Sequence, residues 1–112
     1  MNTTTKFSFM HFRNKDFPSQ GSTIAILPVS EKEVLVGVAA CGPKDNFNRK
    51  IGRAISSGRI EAFLKGRQGL QDYVQRIPVT DMSKVKSEVA AELERQEEEA
   101  YMAFLEDASG NF

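Results

Sequence analysis

Two arginines in the middle of the chain have the spacing of a phosphate-binding pair. Arg49 and Arg53 stand four residues apart in a segment whose apolar residues recur at three- and four-residue steps, as they do along a helix. At about 100° per residue, both arginines fall in one sector of that helix together with Ser56 and point away from the core. Guanidinium groups at this spacing can hold one phosphate through paired hydrogen bonds, and the amides of a helix N-terminus add donors. The pattern predicts a site for a phosphate-bearing ligand, which Arg59 could reach from the next turn.

The charge of the chain is divided between two segments, although its formal net charge is zero. Residues 44–67, which include Lys50, carry seven Lys and Arg against two acids, a net charge of +5. Residues 83–107 carry three cations against eight acids, a net charge of −5. These opposite charges either attract each other, within the fold or between subunits, or leave the basic segment to bind an anion. For the arginines, the alternatives to a ligand are a solvated helix face and ion pairs with the acidic segment.

The residues that could carry catalysis are few. The chain has one His and one Cys, so it can form neither an internal disulfide nor a structural zinc site of four Cys and His ligands. His11 falls in a predicted strand, and no nucleophile-elbow, Walker or zinc-protease signature is present. We therefore expect no enzyme, no metal and no cofactor. Scarce cysteine, no secretory leader and no apolar run of bilayer-spanning length predict a cytoplasmic protein without a membrane partner.

Short strands and two helices would position these residues. Aromatic and β-branched runs predict strands over residues 6–12, 23–29 and 33–41, with a hairpin turn between the second and third. A fourth strand is predicted over residues 73–79, where Pro78 favours a sheet edge. Asp45 is expected to cap a basic helical segment over residues 45–64, interrupted by a stop at Gly58. A long acidic helix follows over residues 83–107, and the tail beyond it is expected to be loose.

Spacing also predicts which helix faces are buried. In the basic helix the apolar stripe consists of Phe47, Ile51, Ala54, Ile55 and Gly58. In the long helix the stripe, interpreted as core or as a subunit contact, consists of Val85, Val89, Leu93, Ala100 and Phe104. Gly52 marks close packing against a neighbour or the close approach of a ligand. The order of elements predicts a single α+β domain over residues 1–112, in which a small antiparallel sheet of three to four strands packs against the basic helix and the long C-terminal helix.

The stretch CGPKDNFNRKIGRAISSGRI, residues 41–60, resembles small phage proteins of the Thoeris anti-defence sponge family. Members of that family bind cyclic ADP-ribose isomers, the signalling nucleotides of bacterial TIR-domain immune enzymes, without degrading them. With the preceding hairpin and the general order of elements, the resemblance covers roughly half of the chain. It implies a homo-oligomer in the host cytoplasm, with ligand pockets between subunits and, in some members, a second arginine-lined site for cyclic oligonucleotides. The chain differs from the family at its end, where Glu106 and Asp107 replace basic residues.

The resemblance assigns roles to particular residues. Arg49, Arg53 and Arg59 would contact phosphate groups, and Phe47 or Tyr73 would stack on a base. Sequestration of a nucleotide needs enclosed arginines and a stacking surface but no general base. The lack of a catalytic signature is consistent with such a role.

Two other functions are compatible with the same charges. In the first, a regulator binds nucleic acid along the basic segment, or imitates nucleic acid with the acidic face at Glu97, Glu98 and Glu99. A net charge of zero is unusual for a nucleic-acid-binding domain and argues against the binder. In the second, the acidic helix binds or inhibits a protein.

Overall fold

The computed structural model describes residues 7–13, 21–40 and 48–110. The chain forms two compact units, Met1–Pro78 and Val79–Phe112. Among these described residues, the first unit contains a four-stranded sheet and one helix, and the second contains a 3₁₀ turn followed by a long helix. The predicted α+β class is therefore confirmed, while the single domain over residues 1–112 stays a prediction.

The sheet is an antiparallel meander whose last strand arrives after a helix. Its strands are β1 (Ser8–Arg13), β2 (Gly21–Ser30), β3 (Glu33–Ala40) and β4 (Val74–Pro78), in the spatial order β1-β2-β3-β4. β2 and β3 form the predicted hairpin around a turn at residues 31 and 32. Among the described strands β4 pairs with β3 alone, so Pro78 lies on an edge strand as predicted. The predicted limits differ by one or two residues, and Cys41 lies outside the described residues.

β3 is the central strand that its continuous apolar sequence indicates. Val34 and Val36 are fully buried on one face, and Leu35 is fully buried on the other. A strand whose two faces are both covered must be apolar at successive positions, because its side chains alternate between the faces. The sequence of β3 meets this requirement from Val34 to Val36.

The basic helix, α1, spans Arg49–Leu64 and begins later than predicted. Its cap is Asn48, whose Oδ1 accepts the N–H of Ile51 at 3.2 Å, in place of Asp45, which lies outside the described residues. The predicted stop at Gly58 is wrong, because the helix is continuous there. The glycine that closes the helix is Gly66, at φ +84°, whose N–H reaches the Phe63 carbonyl while that of Arg67 reaches the Ala62 carbonyl. These two bonds satisfy carbonyls at the end of the helix.

Helix α1 packs on the sheet through its small residues, so the predicted apolar stripe is wrong. Ser56 is fully buried, whereas Ile51 and Ile55 are 56% and 43% exposed. A Cβ on Gly37 of β3 would stand 2.5 Å from the Ser56 carbonyl oxygen and 2.8 Å from Cγ1 of Ile60, so a glycine is required where the helix crosses. The helix contributes Ile60 to a core shared with Ala25, Leu27, Leu35 and Val74, against which Phe7, Phe9, Phe63 and Leu70 also pack.

Gly52 confirms the prediction of close packing. A Cβ at this position would overlap the hydroxyl of Thr23, a fully buried residue of β2. Small side chains on one side of α1 thus allow the helix to lie close to the sheet. The larger Ile51 and Ile55 are left on the opposite side.

The second unit contains a 3₁₀ turn, Met82–Lys84, and helix α2, Val85–Gly110. Asp81 caps the 3₁₀ turn, because its carboxylate accepts hydrogen bonds from the amide and the hydroxyl of Ser83, at 3.0 and 2.7 Å. Val89 is buried as predicted, but Ala100 and Phe104 are exposed, so the predicted stripe is not core at its end. The helix continues to Gly110, where a loose tail was predicted. Within the described residues, neither helix combines the length and the apolar character needed to cross a membrane.

Candidate anion-binding site

The first turns of α1 lie against β2, next to its pairing with β1. Gly52 lies against Thr23, and Thr23 is the residue of β2 that pairs with His11 of β1. Nδ1 of His11 and the hydroxyl of Thr23 are 2.9 Å apart. Arg49 lies one turn before Gly52 on the helix and Arg53 directly follows it, and the charges of both act on the imidazole of His11. We call these three residues the basic cluster.

The positive charges of Arg49 and Arg53 act on the imidazole of His11. The pKa of His11 is lowered from its ordinary 6.5, first by burial and then by the positive charges of Arg49 and Arg53. The imidazole is therefore neutral at neutral pH, and the cluster carries the two charges of its arginines. Both arginines are exposed to solvent, and in the described part of the chain no acidic side chain forms an ion pair with either.

Such an arrangement can bind an anion. Each guanidinium group has several N–H donors in one plane, which match the oxygens of a phosphate or carboxylate. Because no acid neutralises them within the described residues, the arginines can form such bonds without first breaking an ion pair. The described residues contain no group of three or more His, Cys, Asp and Glu that could hold a metal.

Arg59 and Tyr73 lie on the other side of α1, toward β4. Nη1 of Arg59 donates to the Val38 carbonyl at 2.5 Å, and its guanidinium carbon lies 4.1 Å from the centre of the Tyr73 ring. The carbonyl of Tyr73 in turn accepts the N–H of Val38 at 2.9 Å. Arg59 therefore ties the segment before β4 to β3. The structure does not bring Arg59 and Tyr73 together with Arg49 and Arg53.

The remaining predicted site residues have different surroundings. Lys50 is exposed in the first turn of α1, where it adds positive charge. Ser56 was predicted to share the exposed sector of the arginines, and this is wrong, because it is fully buried and its hydroxyl donates to the Gly52 carbonyl at 2.7 Å. Ser56 therefore faces the sheet, whereas Arg49 and Arg53 are exposed to solvent. Phe47 lies outside the described residues.

A groove runs along α1 beside Arg59, and sequence reasoning missed it. It has a volume of about 320 Å³ and is lined by Ala54, Ile55, Gly58, Arg59, Ala62, Arg67, Leu70 and Tyr73. It continues into a concavity of about 400 Å³ lined by Gly58, Glu61, Ala62, Lys65 and Arg67. The sequence signal that could have indicated this groove is the pair Gly66 and Gly69, which lie in the segment between α1 and β4 that carries Arg67 and Leu70. Both glycines adopt φ +84°, a conformation that favours glycine.

No family model matches this chain, and no curated protein or solved structure is similar to it. The resemblance to the Thoeris anti-defence sponge family therefore stays a prediction that depends on residues 41–60. Of those residues, the structure describes 48–60, which form the cap of α1 and most of the helix.

Proposed function

We propose that the protein binds and sequesters a nucleotide that carries phosphate groups and does not degrade it. The observation that carries the proposal is that Arg49 and Arg53 are both exposed in the first turns of α1, without an acidic partner in the described residues, and that their charges act on the imidazole of His11. The proposed ligand class is that of the resembled family, a cyclic ADP-ribose isomer, with cyclic oligonucleotides as a second class. The protein would act as a homo-oligomer in the cytoplasm, that of the host cell for a phage-encoded chain.

The surroundings of His11 support binding rather than turnover. A general base acts on a nucleophile or a substrate proton within hydrogen-bond reach. Here Nδ1 of His11 lies 2.9 Å from the hydroxyl of Thr23, and Thr23 is fully buried between the sheet and α1. A buried hydroxyl cannot reach a ligand, so the pair fixes the imidazole in place. A fixed imidazole beside two arginines contributes hydrogen bonding and shape to a binding site.

The experiment is thermal stabilisation of the purified full chain by a panel of cyclic ADP-ribose isomers and cyclic di- and trinucleotides. We expect one nucleotide to raise the melting temperature and to be recovered unchanged after heat release. Loss of a charge-assisted contact in Arg53→Glu should weaken binding by about 10- to 100-fold. Lys86→Glu makes the same change of charge at an exposed site at the start of α2 and should leave binding intact. Equal loss in both variants, or recovery of a degraded nucleotide, would refute the proposal.

Nucleic-acid binding is the second candidate, and the exposed cations Lys50, Lys65 and Arg67 favour it. Together with the arginines of the basic cluster they extend along α1 and past its end. A protein that follows a phosphate backbone with six or more contacts loses about 10³- to 10⁵-fold in affinity between 50 and 200 mM salt. A site with two arginines should lose about tenfold over that range, since the slope depends on the number of phosphates neutralised. A salt titration with a short single-stranded oligonucleotide and with the best nucleotide separates the two functions.

A further inference from the structure

Two helical surfaces of this chain expose apolar side chains at helical spacing. The first is the outer face of α1, where Ile51 and Ile55 stand beside the small residues Ala54, Gly58 and Ala62. The second is the end of α2, residues 97–107, all of which are exposed. Its large apolar side chains are Tyr101, Met102, Phe104 and Leu105, of which Tyr101 is 61% exposed and Phe104 is 65% exposed. Contiguous apolar surface of this kind is typical of an interface between proteins.

The two surfaces carry opposite charges. The end of α2 has five acids and no cation between residues 97 and 107. On α1, the groove beside the outer face is lined by Arg59, Lys65 and Arg67 against the single acid Glu61. In both surfaces the charged side chains border the apolar ones. The two surfaces therefore match in their apolar parts and in their charge.

They also match in length and in relief. Eleven residues of α2 extend about 16.5 Å, and the twelve residues of α1 from Ile51 to Ala62 extend about 18 Å, at a rise of about 1.5 Å per residue. Gly58 and Ala62 present almost no side chain, so another helix can approach α1 closely at this point. The groove beside them, of about 320 Å³, has room for an aromatic side chain. This is the form of a site that binds an amphipathic helix.

We infer that the end of α2 in one copy of the protein docks on the outer face of α1 in a second copy. Tyr101 and Phe104 would enter the groove beside Ile55, while Glu98 would approach Arg67. The occupant is a second copy because the chain itself supplies a helix with the required charge and apolar residues. This inference rests on the homo-oligomer of the proposed function and is independent of the nucleotide.

The experiment is the measurement of molar mass by light scattering on the full chain, at low salt and without nucleotide. The expected mass is at least twice the 12.5 kDa of one chain. Tyr101→Ser combined with Phe104→Ser, and separately Arg67→Glu, should each weaken self-association by about tenfold or more. Lys86→Glu, an exposed change of charge at the start of α2, is the matched control and should have no effect. Circular dichroism of each variant verifies that the helices are retained.

A charge exchange tests the contact itself. Arg67→Glu alone and Glu98→Arg alone should each associate weakly, but their mixture should associate, since one variant then supplies the acidic groove and the other the basic helix. A mass of 12.5 kDa for the unaltered chain at every concentration would overturn the inference and the proposed homo-oligomer together. A multimer that none of the variants disturbs would overturn the interface and leave the homo-oligomer standing. Neither result bears on the nucleotide, which the melting experiment tests separately.

Discussion

The close approach of α1 to the sheet at Gly52 leads to a sharp prediction about stability. In Gly52→Ala, the added Cβ would overlap the buried hydroxyl of Thr23, so the helix or the threonine must move. Overpacking of a well-packed interior costs about 1–3 kcal/mol, and displacement of the hydroxyl also weakens its hydrogen bond to His11, worth about 1 kcal/mol. Alanine is better than glycine in a helix interior by about 1 kcal/mol, which offsets part of the cost. We expect a net loss of about 2 kcal/mol in the free energy of unfolding.

Gly58→Ala is the matched control, because Gly58 lies in the same helix and a Cβ there meets nothing within 4 Å. This variant gains the helix propensity without the clash, so it should be more stable than the unaltered chain by about 1 kcal/mol. Urea unfolding followed by circular dichroism at one protein concentration measures both changes. In a Thr23→Ala background, the cost of Gly52→Ala should shrink. The reasoning is refuted if both alanine variants are stabilised equally, since α1 would then not lie on Thr23.

Three further predictions concern individual side chains. Arg59→Met loses the hydrogen bond to the Val38 carbonyl and the contact with the Tyr73 ring, so its free energy of unfolding in urea should fall by about 2 kcal/mol. Tyr73→Phe keeps the ring, so its free energy of unfolding should change little. A hydrogen bond from Arg95, and a weaker effect of a hydrogen bond from Gln96, lower the pKa of Glu92 from 4.5 to about 2. The contribution of Glu92 to the stability of α2 is therefore complete above pH 4.5 and is lost as the pH falls toward 2. Glu92→Gln should remove this part of the acid dependence in thermal melts. Replacing both arginines of the basic cluster with glutamine should raise the pKa of His11 toward 6.5 in an NMR titration, and an unchanged pKa would contradict the proximity of the cluster.

The strands were predictable from the sequence because their signals are local. β3 is apolar at successive positions, a turn separates it from β2, and Pro78 marks an edge strand. The face that α1 buries was not predictable in the same way. Apolar spacing favoured Ile51 and Ile55, but Thr23 of the opposing sheet leaves room only for a glycine at position 52, and Gly37 makes room for Ser56 and Ile60. The complementary surface is formed by distant strands, so the helix sequence alone does not reveal it.

The candidate site shows the same division between local and distant information. Arg49 and Arg53 share a sector of the helix, which their spacing predicts. The proximity of His11 depends on the register that pairs it with Thr23, and the sequence does not specify that register. The bond from Arg59 to the Val38 carbonyl joins residues that lie 21 positions apart in the chain, so a ligand-binding role was assigned to a side chain that the fold already uses.

The separation of these residues makes the two proposals independent of each other. The charge of Arg53 acts on His11 of β1, and Arg67 lines the groove beside Tyr73. Both are exposed arginines, so Arg53→Glu and Arg67→Glu change the charge of the protein equally. If α1 carries a nucleotide on one side and a second copy of the protein on the other, the first variant loses the nucleotide and keeps the oligomer, while the second does the reverse. A single ligand that spans the whole basic segment would instead be lost in both variants, because its contacts would include both arginines.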